Sequence, residues 1–238
     1  MNYQHTDSGQ SRVPDHRLTT AVKLMLIYAA IQILSSAGVG VVAGFANWSA
    51  SEYISASTTL VLFEHALCLF IIWRVFHADM RIIPPDIGIR ASEARYLYIV
   101  ILIVLFAIIA QRFHALYDGW IYDGQQGVAD WLELLPDKSP VVRGIAIITL
   151  GFSGPLIEEL IFRGYLQSAL MDRLPATIAV CCSAFVFAAF HLDILGFPYL
   201  FAGGVMLGTL YQVTRSLWPP LVLHMVINME SVTSVFYR

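Results

Sequence analysis

The sequence predicts an all-α fold, a polytopic transmembrane helix bundle of about seven spans. Two observations carry this expectation. Of the 238 residues, 58% are hydrophobic and only 13% are charged, more apolar surface than a water-soluble domain can hide. The apolar residues also gather into runs of roughly twenty, the length that crosses a hydrocarbon core about 30 Å thick at 1.5 Å per residue.

The first twenty residues are polar, lack a signal-peptide pattern and are expected to form a cytoplasmic tail (1–20), with residues 21–238 as the membrane-embedded domain. Spans are expected at 24–45, 58–76 and 96–110, then from 141 onward, and at 176–191, 198–213 and 219–235. Two polar connections interrupt them. Residues 74–95 are basic and broken by Pro84 and Pro85. Residues 112–140 are long and Gly-rich, with Trp120 and Trp131 suited to a membrane interface. With the amino terminus inside, inner segments hold Arg12, Arg17, Lys23, Arg74, Arg81, Arg90, Arg95, Arg173 and Arg215. The outer ones hold Arg112, Lys138, Arg143 and Arg238. That asymmetry predicts a cytoplasmic amino terminus and, for seven spans, an outer carboxyl terminus.

The formal net charge of −3 comes without a basic stripe, which argues against a nucleic-acid partner. Cys68, Cys181 and Cys182 lie within apolar runs and show neither a CxxC spacing nor a disulfide framework; they are expected to be small buried side chains. Gly204 and Gly208 have the small-xxx-small spacing of a close helix contact, which is packing rather than chemistry.

An ionisable side chain inside a span is costly, so each one is a functional candidate. The stretch GPLIEELIFRGYLQ (154–167) holds three: Glu158, Glu159 and Arg163. Glu159 and Arg163 are four apart, share a helix face and can pair, with the glutamate on the favourable amino-terminal side. Glu158 projects about 100° away, without a charge partner on its own face. A carboxylate left free in this way suits a general base that takes a proton from water. Pro155, three residues upstream, removes a helix hydrogen bond near the site. The alternative is a charge network that only locks helices together.

Two further spans deliver polar groups. Phe187 and His191 are four apart, so the ring can fix the direction of the imidazole. Pro219 and Pro220 open the last span, where His224 and Asn228 lie on one face as two donors suited to an oxyanion, or as a polar contact between helices. Together these groups are what is needed to activate water and hold a tetrahedral oxyanion. If Arg173 marks the inner boundary, Glu158 and His191 lie about 20 Å and 25 Å along their helices and can meet. His224 comes out nearer the inner surface, so the last helix must start deeper or tilt.

Glu158-Glu159-x-x-x-Arg163, Phe187-x-x-x-His191 and His224-x-x-x-Asn228 resemble the three signature motifs of the CPBP group. That group comprises the CAAX-type prenyl endopeptidases and the bacteriocin-processing or self-immunity membrane proteins. The likeness covers about residues 145–232, within an expected core at 141–235, and includes the SLWPP before His224. Upstream there is only a loose likeness in IGIR (87–90).

The resemblance implies a glutamate-type intramembrane endopeptidase of a bacterial inner membrane. Glu158 and His191 would activate water, His224 and Asn228 would hold the oxyanion, and Glu159 with Arg163 would shape the site. It implies no cofactor. The substrate would be a membrane-associated protein or peptide: a CAAX-like end, a leader or a carboxyl-terminal sorting signal.

Three other readings remain: a zinc enzyme on Glu158, His191 and His224, although no HExxH is present; a non-catalytic scaffold or immunity protein; and a proton or ion pathway through Glu64, His65 and Glu158. Glu64 and His65 lie outside the motifs and are expected to be structural.

Overall fold

The structure is a computed structural model that describes residues 16–78, 84–91, 96–121 and 140–236. The tail up to residue 15, Trp131, Arg81, Arg95, Lys138 and Arg238 lie outside the described residues. Within them the chain is helical: α1 (His16–Ala46), α2 (Ala50–Ala78), a single 3-10 turn (Pro84–Ile87), α3 (Tyr96–Ile121), α4 (Pro140–Met171), α5 (Ala176–Phe190), α6 (Phe197–Thr214) and α7 (Trp218–Phe236). The fold is an all-α bundle.

The seven helices match the seven expected spans, with longer bounds at several ends and α5 stopping one residue short, at Phe190. α2 begins at Ala50 because Ser49 and Glu52 form a capping box. The Ser49 backbone N–H donates to the Glu52 carboxylate at 2.8 Å, and the Glu52 N–H donates to Ser49 Oγ at 3.3 Å. Hydropathy marks only the apolar interior of this helix. α3 likewise runs on to Ile121, past the apolar stretch. Proline opens α4, and lies in the first turn of α6 and α7, where no intrahelical partner for its nitrogen is needed.

α1 to α4 are long and apolar enough to cross a membrane. α5 has 15 residues, about 22 Å, and is shorter than a typical hydrocarbon core.

α1, α2 and α3 each turn a narrow stripe inward and leave the rest apolar and exposed, whereas α4 is half buried. In α1 the inner stripe is Ala21, Leu24 and Tyr28, while Leu26, Ile33, Leu34 and Phe45 face outward. This inverts the soluble pattern and suits a lipid solvent. It also corrects one expectation: Cys68 is buried, but Cys181 and Cys182 are exposed on α5. Apolar character in such a bundle does not imply an interior position.

The tightest pairing is α5 against α6. A Cβ on Gly204 would stand 3.0 Å from Ala184 Cβ, and one on Gly208 would stand 3.1 Å from Val180 and 2.8 Å from Gln167. Backbone contact this close needs glycine.

The IGIR segment clamps one end of the bundle. Gly88 has φ +79°, and a Cβ there would lie 2.6 Å from the Tyr211 ring. Its carbonyl accepts from the Leu217 N–H at 2.9 Å, and Arg90 Nε donates to the Arg215 carbonyl at 2.6 Å. Arg17 pairs with Asp172 and donates to the Asp86 carbonyl at 3.1 Å. Arg17, Arg90 and Arg215, three of the cations assigned to one side from the charge pattern, therefore gather at one end of the bundle.

Candidate active site

α4 is not a uniform α-helix. Residues Ile147–Ser153 and Glu159–Gln167 wind as π-helix, with the short α-turn Gly154–Glu158 between them. The Gly154 N–H reaches back five residues to the Thr149 carbonyl, and the Ser168 N–H to that of Arg163. Such wide turns re-aim side chains and often mark functional positions.

Pro155 explains a second feature. In the register set by Gly154, the next donor would bond the Leu150 carbonyl, but proline has no N–H to give. Asn228 on α7 fills the gap, its Nδ2 donating to the Leu150 oxygen at 2.9 Å. This leaves the second N–H of the amide, and its oxygen, for other partners. Asn228 lines the same cavity as Glu158.

Glu159 and Arg163 pair as their spacing predicts, Nη1 donating to Oε1 at 2.9 Å, and both are fully buried. The Arg163 guanidinium also donates to the Gly204 carbonyl at 3.2 Å and lies 4.5 Å above the Phe187 ring. Four residues on, Gln167 donates to the Gly208 carbonyl at 2.8 Å. The two glycines therefore do more than permit packing. Their carbonyls receive the buried polar side chains of α4.

The depth mismatch expected for His224 is absent, because α7 brings it to the middle of α4. Its Nδ1 donates to Glu159 Oε1 at 2.8 Å. A carboxylate paired with Arg163 is an acceptor, so Nδ1 carries the proton. Its Nε2 then points at Glu158, 3.6 Å from Oε2. That is a close approach rather than a hydrogen bond. Glu158 lacks a partner on its own helix, as expected, but gains this one from α7. Its side chain remains 18% exposed, against 1% for Glu159. Of the two neighbouring carboxylates, one is sealed and one is open.

His191 sits at the end of α5 and is exposed. Its Nδ1 donates to the Phe187 carbonyl at 2.8 Å, which leaves Nε2 as the acceptor nitrogen. The Phe187 ring lies 4.7 Å from His191 and 5.9 Å from His224, so one aromatic side chain touches both imidazoles. Among the described residues His191 makes no direct bond to Glu158. No group of three His, Cys, Asp or Glu side chains placed to hold a metal ion is found among the described residues.

Glu158 opens into a polar cavity of about 270 Å³ between α1, α2, α4 and α7. Its lining includes Tyr28, Gln32, Ser57, Glu64, His65 and Asn228. His65 is buried and its Nδ1 lies 2.7 Å from Ser153 Oγ. From the sequence, Glu64 and His65 lie outside the three motifs and are expected to be structural. The signal that marks them is the cost of an ionisable group in a span.

Residues 141–229, which contain all three motifs, match the family model described as type II CAAX prenyl endopeptidase Rce1-like. The likeness to that family is confined to this segment. Among curated proteins, YdiL of Bacillus subtilis (strain 168), named as a candidate membrane peptidase, is 26% identical over 106 residues. That alignment covers 44% of this chain and 40% of YdiL. The membrane-embedded CAAX protease MroQ of Staphylococcus aureus (strain USA300) is 30% identical over 116 residues, 45% of each chain. The chain thus spans less than half the length of the curated relatives it matches. No solved structure matches it. The CPBP-like segment supplies α4 to α7, while the cavity is closed by α1 and α2 from outside the match.

Proposed function

We propose that this protein is a glutamate-type intramembrane endopeptidase that hydrolyses a peptide bond in a membrane-associated protein or peptide, with its amino terminus in the cytoplasm of a bacterial cell. The observation that carries this reading is the open Glu158 carboxylate beside the sealed Glu159–Arg163 pair, facing a polar cavity within a helix bundle.

In this reading Glu158 takes a proton from a water that also bonds the free Nε2 of His191. The water oxygen attacks the scissile carbonyl carbon, and the carbonyl π electrons move onto its oxygen. The second N–H of Asn228 donates to that oxyanion. His224 adds a donor at Nε2 only when both of its ring nitrogens are protonated, since Nδ1 is committed to Glu159. Collapse breaks the C–N bond, and the proton held by Glu158 passes to the leaving amine. Arg163 and Glu159 act on this sequence by holding His224. No cofactor takes part.

The names of the relatives suggest CAAX-like carboxyl-terminal ends, with leader peptides and sorting signals as further substrate classes. Comparison of new peptide termini in membranes bearing the wild-type chain and its Glu158→Gln variant tests the proposal. The expected result is a set of cleavages that need Glu158. A variant that folds and keeps every cleavage would overturn it in favour of a scaffold or immunity role.

A further inference from the structure

The wall of the cavity opposite the motifs is rich in hydrogen-bond acceptors and has no cation. Its lining contains two carboxylates, Glu64 and Glu158, and neither lysine nor arginine. Glu64 on α2 is 9% exposed and has no ion-pair partner among the described residues. Beside it, Ser57 Oγ is buried without a hydrogen-bond partner. Ser35 Oγ, 2.8 Å from the Ile31 carbonyl on its own helix, also lies within hydrogen-bond reach of Glu64. His65 is committed at Nδ1 to Ser153.

A nearly buried carboxylate within a bundle needs a counter-charge or several donors. Among the described residues Ser35 gives Glu64 one hydrogen-bond partner but none supplies a counter-charge, and the cavity in front of it has room for one. A lysine ammonium has three donors and an arginine guanidinium five, with no acceptor to conflict with this wall. An isoprenoid chain brings no donor and would strip water from Glu64 and Ser57 without replacing its bonds.

We propose that the α1–α2 side of the cavity is a subsite for a basic side chain, a lysine or arginine next to the scissile bond of an unprenylated peptide substrate, with Glu64 as its counter-charge. The proposal rests on the proteolytic reading above and adds the substrate class. It also gives α1 and α2, which lie outside the family match, the task of specificity.

The test compares membranes bearing the full wild-type chain, Glu158→Gln and Glu64→Gln by mass spectrometry of new termini, followed by a synthetic peptide spanning the strongest Glu158-dependent cut. Termini that need Glu158 are expected to carry lysine or arginine beside the cut, and to fall by about tenfold or more in Glu64→Gln. Replacing the basic residue of the peptide by norleucine is expected to slow the wild-type protein by a similar factor, a measurement that does not depend on how well Glu64→Gln folds. Glu158-dependent termini without a basic residue, or unchanged by Glu64→Gln in a folded protein, would overturn the subsite and leave the protease. No Glu158-dependent termini at all would overturn both. Equal loss of every cleavage in the two folded variants would overturn the subsite in favour of a proton path through Glu64.

Discussion

One oxygen of Glu159 receives two donors from two helices: Arg163 Nη1 at 2.9 Å and His224 Nδ1 at 2.8 Å. The sealed carboxylate is therefore the joint between α4 and α7. It fixes which nitrogen of His224 carries a proton and which faces Glu158.

Removing the cation from this joint is expected to be severe. Arg163→Leu leaves Glu159 buried and uncompensated on one side, at a cost of roughly 3–5 kcal/mol. The measurement is unfolding of the detergent-solubilised protein followed by tryptophan fluorescence. A loss within about 0.5 kcal/mol of wild type would mean that the pair contributes no more than an ordinary surface contact.

Glu158→Gln is expected to separate chemistry from stability. Glu158 is the open member of the pair, and His224 approaches it to 3.6 Å without a hydrogen bond. The fold should persist, while cleavage should fall by about 10²–10⁴-fold, the usual contribution of a general base. Glu159→Gln should behave the other way, with stability falling along with activity. Equal stability losses in the two would contradict the distinction between them.

Much of this arrangement was legible in the sequence, and its gaps have physical causes. The Glu159–Arg163 pair and the Phe187–His191 contact lie within one helix each, where spacing dictates neighbours. The meeting of His224 with both glutamates depends on how α7 crosses α4, which one-dimensional depth estimates misplace. The π-turns were illegible because hydropathy does not report backbone register. Pro155 hinted at the disturbance, but its partner Asn228 lies 73 residues away. Glu64 and His65 were visible as costly residues, yet only the packing of α2 on α4 reveals that they share a cavity with Glu158.

The glycines of α6 should be intolerant of bulk for two reasons at once. Gly204→Val would press on Ala184 and Phe187, and would shift the carbonyl that receives Arg163. Overpacking of this kind costs about 1–3 kcal/mol, and the displaced arginine adds to it. Gly203, where a Cβ meets open space, is the control, and Gly203→Ala should be nearly neutral by the same unfolding measurement.

Chelation addresses the zinc alternative directly. In the general-base mechanism no metal takes part, so treatment of the purified protein with a strong chelator should leave cleavage of the synthetic peptide unchanged. Loss that added zinc restores would replace the general-base mechanism with a metal-bound water.

Asn228 holds the Leu150 carbonyl that Pro155 leaves without a backbone donor, and it also faces the cavity. These two tasks can be separated by a double-mutant cycle. In the wild-type background, Asn228→Ala strands a carbonyl and should cost about 1–3 kcal/mol in unfolding free energy. Pro155→Ala restores an N–H in reach of Leu150, so the same Asn228→Ala change should then cost clearly less. Activity should not follow this rescue. If the amide donates to the oxyanion, cleavage stays down by about 10²–10³-fold in both backgrounds. Recovery of cleavage together with stability in the Pro155→Ala background would show that Asn228 serves the backbone of α4 alone, and would remove it from the chemistry.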